Sequence, residues 1–362
     1  MEKVAILTSG GDAPGMNAAI WAAIKLAAVN GTQVVGVEGG YDGLIDGSFR
    51  PLTKSADGGA GLRPVAGLAW TAGTGGTFLG SSRCPRFLEP KNRANAAAQL
   101  REAAIGGLIV IGGNGSLTGA HLLALEHPDL RVIGVPASID NDIGGTLDAL
   151  GVDTALNTII DACDRISDTA RSHHRAVILE VMGRRSGYLA MASAVAATAD
   201  AVILPEETRT EDEIRARLEE LIRRSFAPGS DKRRVLIIKA EGVAVPTTRL
   251  ARQLQDQLAD IPNVTVRATI LGHLVRGGHP SYHDRMLAGR LALAAMTAFH
   301  DDHTDLMTGW NSPIGTPTAD ANVRLIELAD MVSETKAMLD GSSPIVQRRI
   351  QLLNKVREVL AL

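Results

Sequence analysis

Residues 107–126 read GLIVIGGNGSLTGAHLLALE. The apolar run empties into Gly112-Gly113-Asn114-Gly115-Ser116, and LTGAHLLALE follows with helical spacing. A short apolar run, a glycine loop and a helix make a βα unit. The fold depends on whether that unit recurs.

It recurs on both sides. VAILTS (4–9) reads as a strand, GGDAPGMN as a loop and AAIWAAIKLAAVN as a helix, and QVVGVEGG follows as a second strand. A glycine-rich stretch (58–80) precedes a helix near 91–105. RVIGVPA (131–137) is a further strand that empties into SIDNDIGGT. A long helix near 146–173 is expected to mark the crossing between two domains. Beyond it come AVILEVMG, a helix through 186–199, AVILPEE, a helix over 211–226 and RRVLIIKAEG; RATILGHL (267–274) then leads through RGGHP into a helix ending near 300. The last sixty residues read as polar and helical. Alternation of this kind predicts an α/β protein with mainly parallel sheets.

A chain of 362 residues is long enough for two domains. Its net charge of −3, with both signs mixed along the chain, suggests no general affinity for nucleic acid or acidic membranes. The two cysteines, Cys84 and Cys163, cannot build a disulfide framework and suit a reducing cytoplasm. No secretory leader and no apolar stretch of spanning length is read, so a soluble cytosolic protein is expected.

Ligands of open α/β sheets bind beyond the carboxyl ends of the strands, where the loops of interest fall: Gly10-Gly11-Asp12, Gly112 to Ser116, Ser138 to Asp142, Met182-Gly183-Arg184 and Arg276-Gly277-Gly278. Glycine followed by a helix lets the backbone approach an anion, although any one such loop is also an ordinary α/β turn. Neither a Walker A nor a GxGxxG spacing is present. In SIDND, Asp140 could accept the proton of an attacking hydroxyl while Asp142 holds metal or orients its neighbour; the same composition also suits an Asx-turn or helix cap. Arg175, Arg184, Arg267 and Arg276 lie at or next to strands, where guanidinium would pair with phosphate, or they are solvated surface. His173-His174 and His273, His279 and His283 match no compact zinc pattern, and His273 is better read as a hydrogen-bond donor to a sugar phosphate.

Taken together, LTSGGDAPGMNAAI, GGTFLGSSR, VIGGNGSLTGA, GVPASIDNDIGGT, SHHRAVILEVMGRRSGYLA, ILPEE and RATILGHLVRGGHPSYHDR resemble the 6-phosphofructokinase family, in the family's order and spacing over about residues 3–300. The ATP-dependent bacterial type is the best match. The resemblance implies the phosphofructokinase fold: two Rossmann-like three-layer α/β/α domains, a nucleotide-binding one (1–151 plus 266–319) and a sugar-phosphate-binding one (152–265 plus 320–362). It implies transfer of a phosphoryl group, with Mg²⁺, from ATP to the 1-hydroxyl of fructose 6-phosphate. On that likeness Asp140 is the general base, Asp142 and Ser138 assist it, and Arg184 stabilises charge. Gly11, Tyr41, Arg83, Cys84, Gly113, Asn114, Gly115, Ser116 and Gly119 match positions around the nucleotide. Met182, Gly183, Arg184, Glu241, His273 and Arg276 match positions around the sugar and its phosphate. Arg175 and Arg267 match arginines that reach a neighbouring subunit's site, which implies a homotetramer with shared active sites.

Pyrophosphate-using relatives typically carry Asp where this chain has Gly115 and Lys where it has Ala137, so ATP is the expected donor. The family usually has Asp at position 114, near magnesium; Asn114 is expected to weaken metal binding, directly or through water, with Asp142 as the second candidate ligand. Trp21, Ser167, Thr198, Leu88 and Gly144 depart from the family's pattern, as do the segment 55–75 and the tail beyond 305. Weak or altered allosteric control is the expectation from the depleted basic pocket. Three rivals stand beside this reading: a pyrophosphate-dependent enzyme, a kinase of another sugar phosphate such as sedoheptulose 7-phosphate, and a catalytically silent regulatory subunit.

Overall fold

The computed structural model describes all residues except Met1, 57–60, 208, 349, 352–354 and 356–362. Part of the segment 55–75 and the end of the tail therefore lie outside the described residues. In chain order the first elements are β1 (Lys3–Ser9), α1 (Met16–Val29), β2 (Gln33–Val37), α2 (Gly40–Ile45), β3 (Phe49–Pro51), β4 (Thr53–Ser55) and β5 (Leu62–Pro64). Next come α3 (Pro90–Glu102), β6 (Gly107–Gly112), α4 (Asn114–Glu126), β7 (Arg131–Pro136), α5 (Val152–His173), β8 (Arg175–Val181), α6 (Tyr188–Ala196) and β9 (Ala201–Ile203). The last are α7 (Glu211–Ser225), β10 (Arg234–Ala240), α8 (Thr247–Gln257), β11 (Thr265–Ile270), α9 (Tyr282–His300), β12 (Leu306–Trp310), β13 (Thr316–Pro317), β14 (Val323–Glu327) and α10 (Leu328–Asp340).

Two compact units result: Met1–Thr154 with Arg276–Met338, and Ala155–Val275 with Leu339–Leu362. The first holds an eight-stranded sheet in the order β13-β14-β12-β7-β6-β1-β2-β3. Its centre is parallel, and β3, β13 and β14 add antiparallel edges. Strands β6 and β1 are apolar because the sheet is covered on both faces; Val4–Leu7 are wholly buried. The second unit holds a four-stranded parallel sheet, β11-β8-β10-β9. Ile214, Leu218 and Ile222 of α7 and Leu250 and Leu254 of α8 close its core. A capping box fixes the start of α7, with Thr210 and Glu213 each satisfying the other's backbone N–H.

Two sequence readings are corrected. The crossing helix starts at Val152 rather than 146, because Thr146 turns back onto the Asp148 carbonyl at 2.8 Å and Leu150 bridges Ala137. The tail is not uniformly helical: β12 and β14 pair in the first sheet, a tertiary pairing invisible in five-residue runs. In the contact-based units β11, which hydrogen-bonds β8, falls in the second, and β14 with α10 up to Met338 falls in the first.

Candidate active site

Three central strands of the first unit end side by side, with Ser9 on the same rung as Gly112, and Gly112 on that of Pro136. The loops after β1, β6 and β7 therefore leave the sheet together, at its carboxyl edge. They enclose a cavity of about 440 Å³, a size suited to a small-molecule ligand.

The β6 loop supplies the anion cradle. Gly113 is extended, α4 begins at Asn114, and the first helical bond runs from Leu117 N–H to the Gly113 carbonyl at 3.0 Å. The N–H groups of Asn114, Gly115 and Ser116 thus have no helical acceptor, and the positive end of the helix dipole lies with them. A Cβ added at Gly115 would meet nothing within 4 Å, so this residue opens directly onto the cavity.

The β7 loop supplies the carboxylates. Ser138 N–H donates to the Leu150 carbonyl at 3.2 Å, and Ile139 is wholly buried beneath the turn. Asn141 takes the left-handed conformation (φ 47°) with only 1% of its surface exposed. Its Nδ2 donates to the Leu147 carbonyl at 2.8 Å and its Oδ1 accepts from Ala149 N–H at 3.2 Å. This clamp leaves Asp140 and Asp142 on either side, both lining the cavity. Ser138 Oγ donates to Asp142 Oδ1 at 2.9 Å. Asn114 Nδ2 donates to the Asp142 carbonyl at 2.9 Å, while Thr335 Oγ1 donates to Asn114 Oδ1 at 3.3 Å.

An aromatic wall stands on the other side. Tyr41 stacks on Phe87 with centroids 3.8 Å apart, and its hydroxyl donates to the Ser116 carbonyl at 2.6 Å. Burial drives the Tyr41 pKa far above the ordinary phenol range, so it stays a donor. Both rings press on α4 at Gly119, where a Cβ would lie 3.1 Å from Phe87. Arg93 holds this wall from behind, donating to the Phe87 carbonyl at 2.8 Å and pairing bidentately with Glu126 at 2.6 and 2.7 Å. At the rim, Asp42 accepts from Ser82, Cys84 and Arg86. Burial pushes the Asp42 carboxyl up, but the bonds from Cys84, Arg86 and Ser82 outweigh it and hold it below the usual range. The Cys84 thiol is raised, first by burial and then by Asp42. Arg83 is exposed along the cavity, and Arg276 lies against Gly11 with Nη1 3.3 Å from the Asp12 carbonyl.

All the residues matched to nucleotide positions, together with Ser138, Asp140, Asp142 and Arg276, line this one cavity. The others lie in the second unit. There Met182 is buried, Gly183 has φ 128° and Arg184 is exposed, while Glu241 N–H donates to the Val181 carbonyl at 2.9 Å and Gly242 N–H to Gly183 at 3.1 Å. Arg184 and Glu241 therefore sit on adjacent strand ends. Arg175 and Arg267 do not join them: Arg175 opens β8, and Arg267 is exposed on the edge strand opposite Val177. The Arg175 Nε is buried with no hydrogen-bond partner among the described residues. His273 is exposed in a 3₁₀ turn over Gly272–Arg276. A separate basic cavity lies at Arg171, Lys232, Arg233 and Arg234, where Lys232 pairs with the buried Asp200.

Sequence reasoning passed over Asn141 as a clamp, Phe87 as a wall, and Thr335 altogether. Phe87 had a local signal, an apolar residue after Pro85 in a polar stretch. Among the described residues no group of three or more His, Cys, Asp or Glu is disposed to hold a metal, and no helix is long and apolar enough to cross a membrane.

Comparison with known proteins decides the family. The phosphofructokinase family model matches residues 3–299. The chain belongs to the phosphofructokinase family. It is 45% identical over 307 residues to the ATP-dependent 6-phosphofructokinase of Thermotoga neapolitana, covering 85% of this chain and 89% of that one. It is 43% identical over 310 residues to the enzyme of the same name from Staphylococcus carnosus, covering 85% and 89%. Among solved structures, phosphofructokinase from Pichia pastoris in the T-state superposes with TM-score 0.82 at 30% identity, over 99% of this chain and 40% of that longer one. A pyrophosphate-dependent phosphofructokinase from Marinobacter aquaeolei (TM-score 0.74, 19% identity, 91% of this chain and 84% of that one) shares the fold. The α/β architecture described above is the phosphofructokinase fold.

Proposed function

We propose that this chain is an ATP-dependent 6-phosphofructokinase, moving the γ-phosphoryl group of ATP to the 1-hydroxyl of fructose 6-phosphate. One observation carries the proposal: Asp140 and Asp142 share a single cavity with the free N–H groups at the start of α4. A base and a phosphate cradle in one enclosure are what phosphoryl transfer needs, because positioning and electrostatics supply most of its catalysis.

In this reading the N–H groups of Asn114, Gly115 and Ser116 hold the donor's phosphates, and Tyr41, Phe87 and Cys84 line the nucleotide's side. Asp140 takes the proton of the sugar hydroxyl as its oxygen bonds to the γ-phosphorus and the bond to the β,γ-bridging oxygen breaks. Such a base is worth about 10²–10⁴-fold in rate. Arg83 and Arg276 balance the phosphate charge. Mg²⁺, which commonly takes one or two carboxylates and completes its shell with water and phosphate, fits Asp142, whose Oδ1 is oriented by Ser138; when bound it neutralises donor phosphate charge. Asn114 is a poorer ligand, since both ends of its amide are already bonded. In the second unit, Met182, Gly183, Arg184, Glu241 and His273 are assigned to fructose 6-phosphate.

The donor follows from Gly115. Its α-carbon faces open cavity, so the space that an aspartate would fill with negative charge is free for a nucleotide. The relatives named above for ATP support the same choice. The exposed Arg267, and the Arg175 Nε that has no partner among the described residues, suit a homotetramer in which each reaches a neighbouring copy, and two free cysteines suit the cytoplasm.

The test is a matrix of donors (ATP, pyrophosphate) against acceptors (fructose 6-phosphate, sedoheptulose 7-phosphate), with Asp140→Asn as control. Fastest turnover is expected with ATP and fructose 6-phosphate, falling by at least about 10²-fold in the variant. Faster turnover with pyrophosphate or with the other sugar, or undiminished turnover in the variant, would overturn the assignment.

A further inference from the structure

Position 114 raises a chemical question that the cradle alone does not answer, namely why the side chain is a neutral amide. Its neighbours demand one. The Asp142 main-chain carbonyl can only accept, so it requires a donor, and Asn114 Nδ2 stands 2.9 Å away. A carboxylate there would set oxygen against oxygen. At the other end, Thr335 Oγ1 accepts from Gly144 N–H at 2.8 Å, leaving its one proton to donate. That proton has two takers, Asn114 Oδ1 at 3.3 Å and the Met331 thioether at 3.5 Å, and the amide oxygen is the stronger acceptor.

The bonds therefore form a loop with one consistent direction: Gly144 to Thr335, Thr335 to Asn114, Asn114 to Asp142. It is closed by the two peptide steps from Asp142 to Gly144. The third element, α10, could not come so close to any other residue at 144: a Cβ there would lie 2.5 Å from the Thr335 nitrogen and 2.6 Å from the Met331 carbonyl oxygen. Thr335 is itself buried, with 7% of its surface exposed.

Resting on the phosphoryl-transfer reading above, we infer that Thr335 and Asn114 are positioning residues, a strut from α10 that sets the span between the N-terminus of α4 and the Asp140–Asp142 turn. The bonds of the strut are made by the two side chains, whose polar ends are turned to Asp142 and Gly144, while the Asn114 N–H stays with the phosphate cradle. It fixes how far the groups that cradle the donor phosphates stand from the base that deprotonates the acceptor. Misalignment across that span costs turnover rather than affinity, because both binding surfaces stay intact.

Thr335→Val keeps the shape and removes the hydroxyl. Its kcat is expected to fall tenfold or more, with both KM values within threefold of wild type, and Thr335→Ser is expected to restore kcat to within threefold. Hydrogen–deuterium exchange measured by mass spectrometry should quicken in the peptide covering 138–150 in the valine variant. This readout needs no turnover, so a chain inactive on fructose 6-phosphate defeats the functional reading while the strut is still measured. A kcat within twofold of wild type, or unaltered exchange across 138–150, overturns the inference. Should the valine variant not fold, Asn114→Asp replaces it. The same fall in kcat with no gain in Mg²⁺ affinity supports the strut, and full kcat at a lower half-saturating Mg²⁺ makes residue 114 a cation ligand and overturns it.

Discussion

Replacing Asn141 with alanine attacks the turn of the proposed active site at the point where sequence and geometry are most tightly matched. The residue is left-handed at φ 47° and 1% exposed. Alanine in that conformation costs roughly 1 kcal/mol more than asparagine or glycine. Ala149 N–H, in a wholly buried residue, loses its acceptor, for about 1–3 kcal/mol, and the bond to Leu147, an exposed residue whose carbonyl can turn to water, is worth about 1 kcal/mol. The total is about 4 kcal/mol, and Asn141→Gly should cost about 1 kcal/mol less because the backbone strain disappears. Part of this is relieved by relaxation of the turn, and a shift of about 1 Å in Asp140 lowers turnover roughly 10²-fold. The measurement is kcat at saturating substrates beside the thermal midpoint for the wild type and both variants. The expected order is wild type, glycine, alanine in both quantities. If alanine matches wild type in both, or glycine is worse than alanine, the turn is not held in the way described.

Two further outcomes follow from the ionisable groups. Burial pushes the Cys163 thiol up to about 12, whereas Cys84 sits at the cavity rim with a smaller rise, so a thiol reagent at pH 8 should label Cys84 alone in the native protein, and more slowly with ATP present; equal labelling of both would refute this. The Arg93 guanidinium holds the Glu126 carboxyl below its usual range. A depressed folded-state value means that this pair's stabilisation is complete above the ordinary carboxylate range and is lost as pH falls through the folded value. Glu126→Gln should therefore lower the thermal midpoint at pH 7, and the gap from wild type should narrow on acidification towards pH 3; a gap independent of pH would count against the pair.

What the sequence discloses here, and what it hides, divides by distance along the chain. GLIVIGGNGSLTGAHLLALE announces its strand, loop and helix because those preferences are local, and parallel pairing then forces neighbouring loops to one edge of the sheet. The resemblance names Asp140 and Asp142 for the same reason: the SIDND turn is contiguous. Asn141 lay in view inside that turn, yet its value as a clamp depends on Leu147 and Ala149 folding back over it. The last sixty residues were opaque because β12 and β14 are short and acquire meaning only by pairing with each other and with β7. Thr335 is the extreme case, bonded to Asn114 across 221 residues. Asn114 and Gly144 look like two unrelated departures until α10 is placed. Then one explains the other: glycine at 144 lets the helix backbone reach the turn, its threonine meets the amide at 114, and only an amide can answer both that hydroxyl and the carbonyl of Asp142. A tail that reads as least informative thus stands behind the carboxylates on which the proposed chemistry depends.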